Sequence, residues 1–331
     1  MEVIDIALAA DGGYFCGLFV TACSIAKYAD KDVRLRFNIL DGGIADDDWN
    51  LLTQKVMAYH AQSEFNRLPI NGEMFKDCLL WHGNHMTYAR LLLPELLADI
   101  DYCIYCDVDF LWMRDISALW SERDENIALI STWDGAKSTW DVDGEWLKEH
   151  GFDFSPDDYF CAGLTFFNLK YFRGHNLHRR CFELLKMKPP FNDQTVLYIV
   201  TKGKTKLVSL CWQRIHQYVT PNMIAAGAVV HYAGAIPWKP MKLKIGLLSD
   251  LTLLWHRMNA EARGITVWQS LRMYFSIGYI FWHRGLRNAL YTLNKLHCLG
   301  WLRILLRSTG HAGVWLYLKR GSERYMRCFG R

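Results

Sequence analysis

Tyr105-Cys106-Asp107-Val108-Asp109-Phe110 is the stretch on which the reading of this chain turns. It closes the apolar run Tyr102 to Tyr105 with two carboxylates two residues apart. In a strand, side chains two apart share a face, so Asp107 and Asp109 converge at the strand's end. Paired hard oxygens there suit Mn²⁺ or Mg²⁺, commonly completed by substrate phosphates. Spacing alone says little. Asp-x-Asp recurs at Asp30/Asp32, Asp46/Asp48, Asp99/Asp101 and Asp141/Asp143, and such a pair is ordinarily a solvated turn. Only the Asp107 pair both follows an apolar run and precedes another, Phe110 to Met113.

Outward from this point, the first 240 residues alternate strand and helix patterns. Strands are expected at Val3–Ala10, Val33–Leu40, Glu64–Leu68, Tyr102–Cys106, Asn126–Ser131, Phe160–Asn168 and Ala228–His231. Helices are expected at Phe15–Tyr28, Asp46–Tyr59, Thr87–Leu97, Leu177–Lys186 and Asp193–Thr201. The Asp46 helix carries acids in its first turn, where the helix dipole favours them. This alternation predicts an α/β fold with a mostly parallel central sheet. Ligands of such sheets bind beyond the carboxyl ends of the strands. Those ends carry Asp11, Asp41, Asp107/Asp109, Asp134 and His231. A crevice with so many acids repels phosphate unless a cation intervenes, which points to a metal–nucleotide complex. No phosphate-cradling Gly-x-x-x-x-Gly-Lys-Ser/Thr signature is present.

The chain has 331 residues, 51% hydrophobic and 14% aromatic, which excludes a disordered chain. No run of about 18 uncharged apolar residues exists, so a spanning helix is not expected. The start, Met1-Glu2-Val3-Ile4-Asp5, lacks the basic region of a secretory signal, so a cytoplasmic location is expected. The ten cysteines form no framework and are expected to be reduced. Cys103 and Cys106 match Cys-x-x-Cys, but on a strand they point to opposite faces. The net charge of +4 hides an asymmetry: residues 241–331 hold 15 Lys/Arg against 3 Asp/Glu, and residues 1–240 hold 23 against 31. This break, near Pro237-Trp238-Lys239-Pro240, divides a domain over residues 1–240 from a basic helical region over 241–331.

Six pieces, in order, resemble a known family: Ala9-Ala10-Asp11-Gly12-Gly13-Tyr14; Thr87-Tyr88-Ala89-Arg90; the Asp107 stretch; Tyr159-Phe160-Cys161-Ala162-Gly163 with Asn168-Leu169; Asn192-Asp193-Gln194; and His231-Tyr232-Ala233-Gly234 with Pro237-Trp238. Together they resemble the retaining glycosyltransferases of family 8, the galactosyl- and glucosyltransferases that build bacterial lipooligosaccharide cores. The resemblance implies a GT-A fold, a UDP-sugar donor, a saccharide or glycolipid acceptor and a divalent metal, Mn²⁺ or Mg²⁺. It implies Asp107, Asp109 and His231 as metal ligands. Asp11 and Tyr14 would hold the uridine, Val108 would offer backbone to the ribose, and Arg90 would reach the sugar–phosphate side. Asp134, Ala162, Gly163, Asp193 and Gln194 would line the donor-sugar pocket, with Asp193 and Gln194 facing the positive charge that develops on the sugar. Gly234 belongs to the last motif, on the substrate side. Three departures stand out: Cys161 where the family often has Asn, Gly13 in place of a residue that often touches the base, and Ile236 where a Lys usually grips the diphosphate. Lys239, Lys242 or Lys244 could replace that Lys from the next turn.

Beyond residue 240, apolar and aromatic residues alternate with Arg and Lys. Ile265–Trp282 is broken only by Arg272, and Arg284, Arg287, Lys295, Arg303 and Arg307 follow among Trp and Tyr. Basic amphipathic helices with Trp on the apolar side lie in membrane interfaces, where anionic lipid attracts each cation. The expectation is peripheral attachment to the inner face of the cytoplasmic membrane. A helical appendage with a solvated basic face is the plainer alternative; no nucleic-acid reading motif is present. Two rival functions remain at this level, a sugar nucleotidyltransferase and a membrane-bound scaffold that has lost activity.

Overall fold

Val3–Ala10 (β1) lies inside a seven-stranded sheet in the computed structural model, which describes residues 1–79, 85–239, 250–277 and 280. Its near-continuous apolar run is what a strand covered on both faces requires, and all but its first residue are buried. The helix Phe15–Tyr28 (α1) leads to β2 (Arg34–Asp41), and Asp46–Tyr59 (α2) leads to β3 (Ser63–Pro69). All three strands run parallel, in register Asp5↔Arg36 and Arg36↔Glu64. Arg36 bonds the buried Asp5 carboxylate with two nitrogens, at 2.6 and 2.7 Å, and Asn38 adds a third bond at 3.1 Å. A polar pair inside the sheet thereby fixes the register that apolar side chains alone leave loose.

The expected helix over Thr87–Leu97 differs in kind. Met86–Leu92 is a 3₁₀ helix, followed by one α turn, Leu93–Leu96 (α3). Pro94 has no N–H to give to the Arg90 carbonyl, and Leu93 donates to it instead, one residue earlier. The chain then runs through β4 (Tyr102–Cys106), β5 (Phe110–Leu111), α4 (Ser117–Trp120), β6 (Leu129–Trp133), α5 (Lys137–Glu149) and β7 (Phe160–Asn168). After these come α6 (Leu169–Gly174), α7 (Leu177–Leu185), α8 (Asn192–Val200), β8 (Thr205–Val208), β9 (Arg214–Ile215), α9 (Pro221–Ala225) and β10 (Val230–His231). β6 begins three residues later than the pattern suggested, because Asn126 and Asp124 form a turn first.

The sheet order is β3-β2-β1-β4-β7-β6-β8. It is mostly parallel, as expected, but β7 runs antiparallel to both β4 and β6. The winding reverses between β1 and β4, which pair directly from Ile6↔Ile104 to Leu8↔Cys106. A crevice therefore opens past Ala10 and Cys106, at the kind of switch point where open α/β sheets bind ligands. A second, three-stranded sheet, β5-β10-β9, starts just after β4 ends.

The contacts divide the chain into Met1–Gly234 and Ala235–Arg331. In the second unit α10 (Asp250–Arg263) and α11 (Val267–Tyr274) form a helical pair. Thr266 and Gln269 close a capping box at the start of α11. Trp238 stacks on Trp255 at 5.2 Å. The basic stretch from Arg284 onward lies outside the described residues, as do Lys242 and Lys244. No described helix is long and apolar enough to cross a membrane.

Candidate active site

The corner between the two sheets is where the acids meet. The Asp107 amide donates to the Gly163 carbonyl at 2.8 Å, ending β4 beside β7. Two residues later the chain enters β5, whose Phe110 pairs with His231 of β10. The Tyr232 amide donates to the Asp109 carbonyl at 2.9 Å. The His231 ring stacks on Phe110 at 4.2 Å, and its Nε2 stands 3.3 Å from Asp109 Oδ1. One ligand atom from each of Asp107, Asp109 and His231 falls within 4.8 Å of the others. The small sheet thus brings a distant histidine to the carboxylates of β4's end.

Gly163 makes this approach possible. A Cβ there would stand 2.6 Å from His231 Cε1 and 3.0 Å from Gln213 Nε2. Glycine at this position leaves room for the imidazole. Gln213 holds the other side of the ring, with Nε2 3.1 Å from His231 Nδ1, and accepts from the Thr132 hydroxyl at 3.1 Å.

Arg90 is the counter-charge. It is buried, donates to Asp107 Oδ1 at 2.6 Å, lies 3.1 Å from Asp193 Oδ2, and bonds the Ala162 carbonyl. Its guanidinium sits 4.2 Å from the centre of the Tyr105 ring. Glu95, five residues further on, meets His178 Nε2 at 3.2 Å rather than Arg90. Tyr105 also donates to Asp107 Oδ1 at 3.0 Å, and Thr87 donates to Asp193 Oδ1 at 2.6 Å. Oδ1 of Asp107 is thus filled twice, while Oδ2 has no partner among the described residues.

The charges are unbalanced. Burial pushes the Asp107 carboxyl up to about 6; Arg90 pulls against that shift and Asp109 adds to it. Burial also works against Asp109, but His231 beside it holds its carboxyl below the usual range. Burial lowers His231's affinity for a proton, and Asp109 more than reverses this, raising it well above an ordinary imidazole. Asp193 is raised by burial against the pull of Arg90. The cluster therefore carries more negative charge than its burial supports. A divalent cation is the species that would let both Asp107 and Asp109 ionise. Two carboxylates and an imidazole form a donor set that Mn²⁺ accepts.

Other expected site residues gather around this core. Asp11 caps the turn after β1 by accepting from the Tyr14 amide at 3.0 Å. The Tyr14 hydroxyl is raised by burial, with Asp109 and Asp11 adding, so it faces the same acids. Val108 is buried, and its carbonyl accepts from the Thr21 hydroxyl at 2.9 Å. Gln194 bridges the pocket wall: Oε1 accepts from the Ala162 amide at 2.8 Å, and Nε2 donates to Asp134 Oδ2 at 3.3 Å and to the Tyr159 hydroxyl at 3.0 Å. Asp134 also accepts from the Ala136 amide, and burial raises its carboxyl. Gly234 adopts a positive φ of 66°, a turn conformation suited to glycine. Thr87, Tyr105 and Tyr159 stand inside the motifs quoted from the sequence but were given no role there, and Gln213 stands in none of them.

The fold has counterparts among known proteins. A Bacillus subtilis (strain 168) protein named General stress protein A is 25% identical over 196 residues, 57% of this chain and 64% of its own. A Haemophilus influenzae (strain Rd) protein, provisionally named a glycosyltransferase, is 27% identical over 215 residues, 63% of this chain and 62% of its own. The chain thus spans somewhat under two thirds of these relatives' lengths. The fold superposes on the galactosyltransferase LgtC, solved with donor and acceptor sugar analogues, with a TM-score of 0.63 and 25% identity over 80% of this chain and 96% of that one. The bifunctional glycosyltransferase WbbM shares the fold, with a TM-score of 0.65 at 20% identity, over 78% of this chain and 50% of that one. Residues 5–242 match Glycosyl transferase family 8, and with seven tenths of its length inside that match, the chain belongs to this glycosyltransferase family.

Proposed function

We propose that this glycosyltransferase is metal-dependent and retaining, and moves a hexose, glucose or galactose, from a UDP-sugar to a saccharide acceptor of the lipopolysaccharide or lipooligosaccharide core. The observation that carries this reading is the convergence of Asp107, Asp109 and His231 within 4.8 Å, beside the buried Arg90. These three residues would hold Mn²⁺ or Mg²⁺. When bound, such an ion supplies Lewis-acid stabilisation of the charge that develops on the departing diphosphate. Were His231 Nε2 to hold the ion, Nδ1 would keep its proton, and the Gln213 amide, whose Nε2 stands 3.1 Å from Nδ1, would turn over to present its oxygen. The Thr132 hydroxyl, both donor and acceptor, would accommodate that turned amide.

The chain's own residues divide the remaining work. Asp11 and Tyr14 hold the uridine at the end of β1, and the Val108 amide faces the ribose. Arg90 fixes Asp107 and Asp193 in place and adds positive charge on the phosphate side. Gln194, held by Ala162, Asp134 and Tyr159, presents a rigid amide to the sugar. Its oxygen and the Asp193 carboxylate stabilise the positive charge that grows on the ring as the bond to phosphate breaks. Fixing these dipoles before reaction removes the cost of orienting them.

A panel of UDP-sugars, scored for hydrolysis and transfer with Mn²⁺ and with chelator, tests the reading. One donor should be turned over, and chelation should stop it. Asp109→Ala should lose turnover and Mn²⁺ binding while its circular dichroism stays unchanged. Full Mn²⁺-dependent activity in that variant would overturn the site assignment. We further propose that the chain is cytoplasmic and that its basic C-terminal region attaches it to an anionic membrane surface. The support is compositional, the excess of Arg and Lys among Trp and Tyr beyond residue 240.

A further inference from the structure

A cleft among the described residues lies beside the proposed donor site. It encloses about 490 Å³ open to solvent and is walled by Trp133, Gly135, Gln213, Arg214 and Tyr218. Gln213 belongs to both places: it is one of the residues lining the cleft, and its amide bonds the His231 ring at 3.1 Å. Trp133 directly precedes Asp134, which holds Gln194. The cleft thus lies one side chain away from the proposed centre of reaction.

Its walls are chemically specific. The Trp133 indole is fixed by its N–H, which donates to the Pro156 carbonyl at 2.8 Å, and by Trp140, 5.3 Å away. Gly135 lets the backbone pass the indole, because a Cβ there would stand 3.2 Å from the ring. Tyr218 is 44% exposed. Arg214 lies between, half-buried; its Nε donates to the Tyr218 carbonyl at 3.3 Å, and its guanidinium sits 5.7 Å from the Tyr218 ring. No carboxylate among the described residues pairs with Arg214, so its two terminal nitrogens are left to face the cleft's contents. Rigid aromatic faces suit the C–H faces of a sugar ring, and a guanidinium fork suits a carboxylate or phosphate.

We propose that this cleft is an acceptor subsite for a saccharide bearing an anionic group, a carboxylate or a phosphate ester. Arg214 grips that group, and Trp133 and Tyr218 flank the ring that carries it. The proposal rests on the glycosyl-transfer reading above and adds the acceptor's class to it. The plainer role for Arg214, a solvated cation lying on Tyr218, predicts no preference for acidic sugars.

Calorimetric or saturation-transfer titration of the full chain tests this, with and without UDP and Mn²⁺. The probes are glucose, glucose 6-phosphate, glucuronic acid and inorganic phosphate. At least one acidic sugar should bind about tenfold to a hundredfold more tightly than glucose. Arg214→Gln should erase that preference without changing UDP affinity. Tyr218→Ala should weaken every sugar while leaving inorganic phosphate unchanged. Whichever of glucose 6-phosphate and glucuronic acid binds more tightly identifies the anionic group. Equal binding of glucose and both acidic sugars would overturn the proposal. Inorganic phosphate binding as well as glucose 6-phosphate, with Tyr218→Ala silent, would overturn it too, reducing the cleft to an anion patch. Failure of UDP to bind, with the acidic-sugar preference intact, would sink the donor reading and leave this one standing.

Discussion

Gly163 and Arg90 have different jobs, and substitution separates them. A methyl group at residue 163 has no space, since it would press on His231 Cε1 at 2.6 Å. Gly163→Ala should therefore displace the imidazole and weaken Mn²⁺ binding by about tenfold or more, the range seen when groups that orient metal ligands are changed. Electron spin resonance of bound Mn²⁺ checks this, and unaltered affinity would refute it. Arg90 balances two carboxylates, the buried Asp193 and the partly exposed Asp107. Replacing it with Met leaves both without a counter-charge, at a cost of about 3–5 kcal/mol. Chemical denaturation should show that loss, whereas Asp109→Ala should show far less. Asp107 and Asp109 were legible because acids at a strand's end stand out against an apolar run, whereas His231 was joined to them by the family resemblance. Gln213 was not legible, because a lone glutamine carries no pattern; its role exists only where β9 brings it beside β10.

Elements with unbroken patterns matched closely: Val3–Ala10, Phe15–Tyr28, Asp46–Tyr59 and Tyr102–Cys106 form as read. α5 was missed, and Gly144 shows why. Glycine weakens a helical pattern, yet here Phe154 packs where a side chain would stand, 2.5 Å from the place a Cβ at residue 144 would occupy. Tertiary packing compensated for a poor local signal. β5, two residues long, is too short for any periodicity to reveal, and the strand expected over Ala228–His231 narrows to β10, Val230–His231. In the second unit, His256 ties α10 to α11: Nδ1 lies 2.8 Å from the Ser270 hydroxyl and Nε2 3.3 Å from the Pro237 carbonyl. Burial pushes its pKa down to about 4. A histidine neutral when folded and protonated when unfolded favours unfolding as protons are added. Its stabilisation is complete above the unfolded value of about 6.5 and is lost as pH falls towards 4, by up to about 3 kcal/mol. Protection factors of the α10 amides, taken relative to the intrinsic exchange rate at each pH, should be markedly lower at pH 4.5 than at pH 7. Equal protection at both would contradict this.

At the scale of the whole molecule, two features frame the function: a sheet that reverses its winding between β1 and β4, and a net charge divided along the chain. The first places Asp11 and Asp107 on either side of one crevice. The second supports the membrane proposal. A chain ending after residue 280 keeps α10 and α11 but removes most of the excess Arg and Lys. It should fail to sediment with vesicles containing phosphatidylserine while the full chain does; equal sedimentation would refute attachment through this region. Sequence by itself determined the α/β class, the strand that delivers Asp107 and Asp109, and the charge division, since each is written in local periodicity or composition. Only the tertiary structure decided that β7 runs antiparallel, that Arg90 serves Asp107 and Asp193 together, and that Gly163 makes room for His231. These depend on contacts between residues far apart in the chain, and such contacts leave no period in the sequence that makes them.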